Sequence, residues 1–169
     1  MSCEARQSRG FTLNAQSLGV HAMKLFFNTL LAGLAGVSLS AFAQMTPVGH
    51  WHTVDDKTGE VKAEIHITEQ AGVLAGRVFK SIRSDPNAKK TCDDCKDDRK
   101  GQTIIGMEII RGVKQEGSEN LWAGGGKILD PENGKEYTVR MTPLEGGKKL
   151  QVRGYIGPLY RTQVWLRVQ

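Results

Sequence analysis

The sequence predicts an all-β domain, an eight-stranded antiparallel up-and-down barrel that follows an N-terminal signal peptide. Three observations lead there. Apolar Val61, Ala63, Ile65 and Ile67 alternate with polar Lys62, Glu64, His66 and Thr68, the period of a half-buried strand. Turn signals rich in glycine, asparagine and proline separate a series of such runs. No segment after residue 43 sustains a helical period.

In order, the expected strands are 49–54, 61–68, 73–83, 103–113, 121–129, 136–143, 149–156 and 161–168. Three turns set their register. Lys57-Thr58-Gly59 reads as a three-residue hairpin loop with Gly59 in the left-handed position, pairing Asp56 with Glu60, Trp51 with Ile65 and Thr53 with Ala63. The Gly146-Gly147 turn places Met141 beside Val152 and Val139 beside Gly154. Pro131-Glu132-Asn133-Gly134 sets Ile128 against Tyr137. Each register puts apolar against apolar, so turn chemistry and alternation agree. Closing the meander joins the first strand to the last and removes both exposed edges.

The inner face then carries Trp51, Trp122, Tyr137, Met141, Ile156 and Trp165 among aliphatic residues, together with Gly124, Gly126 and Gly154. Gly124-Gly125-Gly126 is read as part of the fifth strand. Its small residues either leave space for a ligand or mark a sharp bend, because an eight-stranded barrel holds side chains or one small ligand.

The N-terminal region is read as an address. Met23-Lys24 is a short basic start, residues 25–39 are mostly apolar, and Ala41-Phe42-Ala43 closes the run with small residues, the anatomy of a secretory signal peptide. Residues 1–22 are then an upstream extension, 23–43 the signal peptide and 44–169 the single barrel domain, periplasmic or secreted. A retained membrane anchor fits less well, since the apolar run is short and glycine-rich. Position 44 is glutamine, not the cysteine that lipid attachment requires. Residues 1–43 take three basic and one acidic residue with them, leaving 20 basic against 17 acidic. That interspersed, weakly positive balance argues against nucleic acid as a partner.

Cys92-Asp93-Asp94-Cys95 lies in the long polar stretch 84–102 and holds the two cysteines of the exported part. In an oxidising compartment the pair reads as a structural disulfide. A redox-active thiolate needs positive surroundings, whereas Asp93, Asp94, Asp97 and Asp98 crowd this one. Two cysteines without a second pair make a weak zinc signal, and the acidic loop reads as solvated. His50, His52 and His66, with Glu64, share the outward face of the first hairpin, where they form either a metal patch or an ordinary exposed strand face; no metal site is assigned. Ser81, Ser84 and Ser118 sit in no nucleophile motif, and no glycine loop precedes a helix as a phosphate cradle does. No catalytic residue and no cofactor is assigned.

Gly49-His50-Trp51, Asp56-Lys57-Thr58-Gly59, Cys92-Asp93-Asp94-Cys95, the stretch Ile128-Leu129-Asp130-Pro131-Glu132-Asn133-Gly134-Lys135, and the closing strands with Arg153-Gly154-Tyr155 and Gln163-Val164-Trp165 resemble the secreted bacterial domain-of-unknown-function 2147 family. The resemblance spans the exported part. It implies a lipocalin-like barrel from a Gram-negative bacterium and brings no activity with it. Lipocalin-type barrels also carry Gly-x-Trp on the first strand and an arginine on the last that packs over the tryptophan. If Ile156 pairs with Arg161, Trp165 and Arg167 turn inward and Arg167 reaches Trp51.

The functional expectation is a non-catalytic barrel binding a small apolar or amphipathic molecule. Trp51, Trp122, Tyr137, Met141 and Trp165 would line the site, with Gly124 and Gly126 providing room. The alternatives are an envelope interaction module with a filled core and, further off, a thiol-disulfide protein.

Overall fold

The computed structural model describes residues 45–169 apart from Ser84 and Ser118; the extension and signal peptide expected at 1–43 lie outside the described residues. The strands are β1 (Gly49–Val54), β2 (Val61–Gln70), β3 (Val73–Ser81), β4 (Glu108–Lys114), β5 (Lys127–Asp130), β6 (Lys135–Leu144), β7 (Lys149–Ile156) and β8 (Leu159–Arg167). They close into one antiparallel barrel in chain order. Among the described residues no helix is long and apolar enough to cross a membrane.

The three turns deliver their registers. Trp51 faces Ile65, Met141 faces Val152 and Ile128 faces Tyr137. Gly59, Gly134, Gly146 and Gly147 all adopt the positive φ that made them turn formers. Small differences remain. A bulge at Thr53/Val54 pairs Val54 with Val61 and brings Asp55, not Asp56, opposite Glu60. The last hairpin pairs Ile156 with Leu159, so its loop is the two residues Gly157-Pro158. This register is displaced by an even number of residues, so Trp165 and Arg167 keep the expected face.

Two expected strands were drawn too generously. Residues 103–107 belong to the loop after β3, where Gly106 at φ +87° breaks the extended backbone. The fifth strand does not run from 121 to 129. Trp122 bridges Gln115 and Met141, then Gly124 and Gly125, at φ +49° and +81°, make a turn before β5 begins. Three consecutive glycines give a ladder no side chains to pack and permit the left-handed backbone that ends it.

The even connections β2–β3, β4–β5 and β6–β7 lie at one end of the barrel with the N-terminal approach to β1. The other end carries the β1–β2, β3–β4, β5–β6 and β7–β8 connections. The first end is closed by a cluster centred on Trp51. Its ring is fully buried, its Nε1–H donates to Pro47 O at 2.7 Å, and the Arg167 guanidinium stacks on it at 4.1 Å from the ring centre. Arg167 also donates to Val48 O at 2.9 Å, to Thr46 O at 2.7 Å and to Gly147 O. Burial lowers its pKa, but guanidinium stays charged at any physiological pH, so the carbonyl oxygens and the π face replace its lost water. Gly49 completes the arrangement: at φ +129° it occupies a conformation that side chains avoid, and a Cβ there would lie 2.6 Å from Arg167 Nη1.

This geometry sets a test. Gly49→Ala adds a collision with Arg167 to backbone strain, and should cost ~2–4 kcal/mol in urea unfolding. Gly72→Ala, at φ +76° in open space, should cost only ~1–2 kcal/mol, because strain acts there alone.

Candidate functional site

The barrel interior divides in two. In the closed half Ile67, Leu74, Ile110, Val113, Met141 and Leu150 are fully buried and pack against Trp51 as a continuous core. The open half holds a cavity of about 620 Å³. Ile65, Val78, Ile109, Ile128, Val152 and Trp165 give it apolar walls from six strands, with Tyr137 from a seventh. Trp165 is buried and satisfies its indole N–H on Gln163 Oε1 at 3.0 Å, so its ring meets the cavity without an unpaired donor. Gly154 seats Tyr137: a Cβ there would lie 3.2 Å from Tyr137 Cβ.

The cavity mouth is polar and mostly self-neutralised. Lys62 lies 3.6 Å from Asp55 and 3.4 Å from Glu132, Arg83 pairs with Asp85 at 2.6 Å, Lys89 pairs with Asp94, and Arg161 forks onto Asp56. Arg161 holds the Asp56 carboxyl below its ordinary pKa, and Asp55 is lowered by the Lys57 and Thr58 backbone N–H groups. Lys90 also lines the mouth, and among the described residues no carboxylate lies within ion-pair distance of it.

One wall is the loop 82–107, which folds on its own staples. Cys92 and Cys95 form a disulfide, with relative exposures of 0% and 2%. The loop crosses over itself through Cys92 N–H to Gln102 O and Ile104 N–H to Lys90 O. Arg99, 1% exposed, donates to Asp97, to Glu108 O at 3.2 Å and to Glu136 at 2.8 Å, tying the loop to β4 and β6. Gly134 in the β5–β6 turn approaches the disulfide loop so closely that a Cβ would lie 2.2 Å from Asp94 O. The acidic residues are exposed, as expected of a solvated loop, and three of them are also paired: Asp94 with Lys89, Asp97 with Arg99, and Asp98 with both arms of Arg111 at 2.8 and 2.9 Å.

The structure brings together only part of the expected ligand site. Tyr137 and Trp165 face the cavity. Trp51 and Met141 belong to the closed-half core, and Trp122 bridges into the ladder beside Met141, so none of the three lines it. Gly124 is an exposed turn residue, and Gly126 lies where a Cβ would meet the Val113 side chain at 2.3 Å; neither opens space. They permit a close turn and a close strand approach, the bend reading of the glycines. Ile156, expected inside, is 47% exposed at the tip of the last hairpin. Sequence reasoning missed Ile104, Ile105, Lys90 and Arg99, because a loop folding back over a barrel leaves no periodic signal.

The outward histidines do meet. His50 and His66 stack at 4.0 Å with planes 16° apart, and Glu64, 3% exposed, takes His50 Nδ1 at 2.8 Å and Lys80 Nζ at 2.7 Å. Lys80 foremost holds the Glu64 carboxyl below its ordinary pKa, while burial foremost lowers His66. Near-parallel rings direct their nitrogens along separate planes, and among the described residues no group of three or more ligating side chains is placed to hold a metal ion.

An antiparallel up-and-down barrel of eight strands, sealed at one end by an arginine on a tryptophan and hollow at the other, defines the lipocalin-like class. Among solved structures it is similar to protein HP1028 from the human pathogen Helicobacter pylori, described as belonging to the lipocalin family, with a TM-score of 0.62, 17% identity, and coverage of 75% of this chain and 85% of that one. Residues 49–167 match the family described as uncharacterized protein conserved in bacteria (DUF2147), and the chain belongs to that family. A comparison with the curated proteins gave no match.

Arg99 supplies a pH test of the loop. Its side chain draws the Asp97 pKa from 3.8 down to about 2. A depressed carboxyl pKa stabilises the fold above the unfolded value and loses that contribution as pH falls toward the folded value. The difference in melting temperature between the parent and Asp97→Asn should therefore be present at pH 7, shrink from about pH 4 downward and vanish near pH 2. Melts that differ equally at both ends of that range would contradict the pairing. The buried disulfide makes a second expectation: native protein should resist alkylation after mild dithiothreitol, and become labelled only on unfolding.

Proposed function

We propose that this chain is an exported, non-catalytic carrier that holds one small apolar or amphipathic molecule in the open half of its barrel. The observation that carries the reading is the cavity itself. Its volume of about 620 Å³ falls within the range typical of small-molecule sites. Aliphatic side chains with one tryptophan and one tyrosine line its depth, and charged groups ring its mouth. A hydrocarbon body gains about 25 cal/mol for each Å² of apolar surface it removes from water there. Its polar end would remain at the mouth, where Lys90 has no carboxylate partner among the described residues. Export is part of the same proposal and rests on the signal-peptide anatomy of residues 23–43. A disulfide chemistry is not favoured, because both sulfur-bearing residues are buried and exchange requires attack on an accessible sulfur.

Two measurements test this. Native mass spectrometry of protein purified without denaturant should show a retained small molecule. After that molecule is stripped, cis-parinaric acid should bind saturably. Ala63→Trp, which places an indole in the cavity wall, should weaken that binding by about tenfold or more by filling the space. Leu166→Ser, on the outer face of β8, should leave it unchanged. Saturable binding that ignores Ala63→Trp would move the ligand elsewhere, and no binding to the stripped protein would end the carrier reading.

A further inference from the structure

The outer face and tip of the β7–β8 hairpin carry a pattern that neither the core nor the cavity uses. At the tip, Ile156, Leu159 and Tyr160 are 47%, 73% and 63% exposed, around Pro158. Exposed Ile82 and Ile105 stand at the same end, on the loop that borders the mouth. Scattered apolar residues on a surface are ordinary, but most of the large exposed ones here gather at this end.

Just behind the tip lie two cross-strand pairs. Tyr155 faces Tyr160 with ring centres 5.8 Å apart, and Arg140 faces Arg153 across β6 and β7. Like charges directly opposite each other destabilise a sheet. Five other arginines are matched by carboxylates: Arg77 and Arg111 with Glu108, Arg83 with Asp85, Arg99 with Asp97, and Arg161 with Asp56. Arg140 and Arg153 have no carboxylate within ion-pair distance among the described residues. Their guanidinium groups lie over tyrosine rings instead, Arg140 at 5.8 Å from the Tyr155 centre and Arg153 at 4.8 Å from that of Tyr160, and Arg153 Nε also donates to the neutral Thr162 hydroxyl at 2.8 Å.

We propose that this end of the barrel docks on an anionic phospholipid bilayer, with Leu159 and Tyr160 entering the interface and Arg140 and Arg153 meeting the lipid phosphates behind them. An apolar tip, tyrosines at headgroup depth and a following pair of uncompensated cations match the layers of a bilayer surface in order. The anionic surface relieves the repulsion that the Arg140–Arg153 pairing builds into the sheet. Arg161, two residues after Leu159, lines the cavity, so docking brings the mouth to the membrane. The inference stands on the surface alone and does not require that the cavity hold a ligand.

The test is flotation of protein produced from the full-length sequence with two vesicle types, one containing phosphatidylglycerol and phosphatidylethanolamine, the other phosphatidylcholine alone. Binding should favour the anionic vesicles and fall as salt rises. Leu159→Asp changes a side chain that makes little packing contact and should weaken binding by about tenfold or more. Arg140→Gln with Arg153→Gln should remove the preference for anionic lipid. Leu166→Asp, on the same strand at the opposite end, should bind like the parent. Absence of flotation with anionic vesicles overturns the proposal, as does flotation indifferent to Leu159→Asp. So does a dimer in sedimentation that Leu159→Asp dissolves without any lipid binding, which would make a second copy the occupant.

Discussion

The Arg167–Trp51 contact holds the barrel shut across the β1–β8 seam, where backbone pairing is short. Trp51–Arg167 and His52–Leu166 are the ladder pairs across the β1–β8 seam, extended by Val168 N–H to His50 O, against eight pairs between β7 and β8. A short closing ladder holds the first and last strands weakly, and an opened seam would leave two edges exposed to other chains. The side chain of Arg167 supplies what the ladder lacks, reaching carbonyls before β1 and after β6 while its flat face covers the indole. Gly49 is the complementary void, since any side chain there would displace the guanidinium. The three residues act as one device, and the packed half of the core is built on it.

From that sealed end the interior changes character over a short distance. Fully buried aliphatic residues around Trp51 leave no room, whereas the open half is wider than its side chains can fill. The difference comes from the ends rather than from the strands themselves. At the sealed end the two-residue β2–β3 turn, the four-residue β6–β7 connection and the longer β4–β5 connection, whose Trp122 bridges to Met141, bring the chain close over the core. At the open end, the loop 82–107 stands as a wall, held by a disulfide, a buried arginine and its own crossing hydrogen bonds. Its acidic residues, which on paper suggest a solvated or metal-binding segment, serve as anchors for Lys89, Arg99 and Arg111.

Most arginines follow the same pattern of local pairing. Of the mouth and loop cations, Lys62, Arg83, Lys89, Arg99 and Arg161 are answered by nearby carboxylates, which cancels much of the field of the open end at short range. Arg140 and Arg153 break this rule together, on adjacent strands and in direct register. Two residues independently placed on an exposed face would not carry much meaning, but a cross-strand like-charge pair beside two tyrosines and an apolar tip is a single arrangement. Two registers make it: the 145–148 connection sets Arg140 against Arg153, and the Gly157-Pro158 loop sets Tyr155 against Tyr160.

Alternation and turn chemistry together were enough to establish the number and order of the strands, the facing of Trp51 on Ile65, Met141 on Val152 and Ile128 on Tyr137, and the closed sheet, because each of these depends on short-range periodicity and on glycines whose φ has few alternatives. The Gly-x-Trp and closing arginine were legible for the same reason, once the last strand's inward parity was known. Tertiary structure alone decided where the space lies. Trp51, Trp122 and Met141 point inward as Tyr137 and Trp165 do, yet they occupy the packed half, and inward parity says nothing about depth along the barrel. Gly124 and Gly126 show the same limit from the other side: a missing side chain can mean room or close approach, and only the neighbour's position, Val113 or Lys114 here, tells which. The roles of Arg99, Lys90 and the returning loop rest on contacts between residues distant in the chain, which no local pattern records.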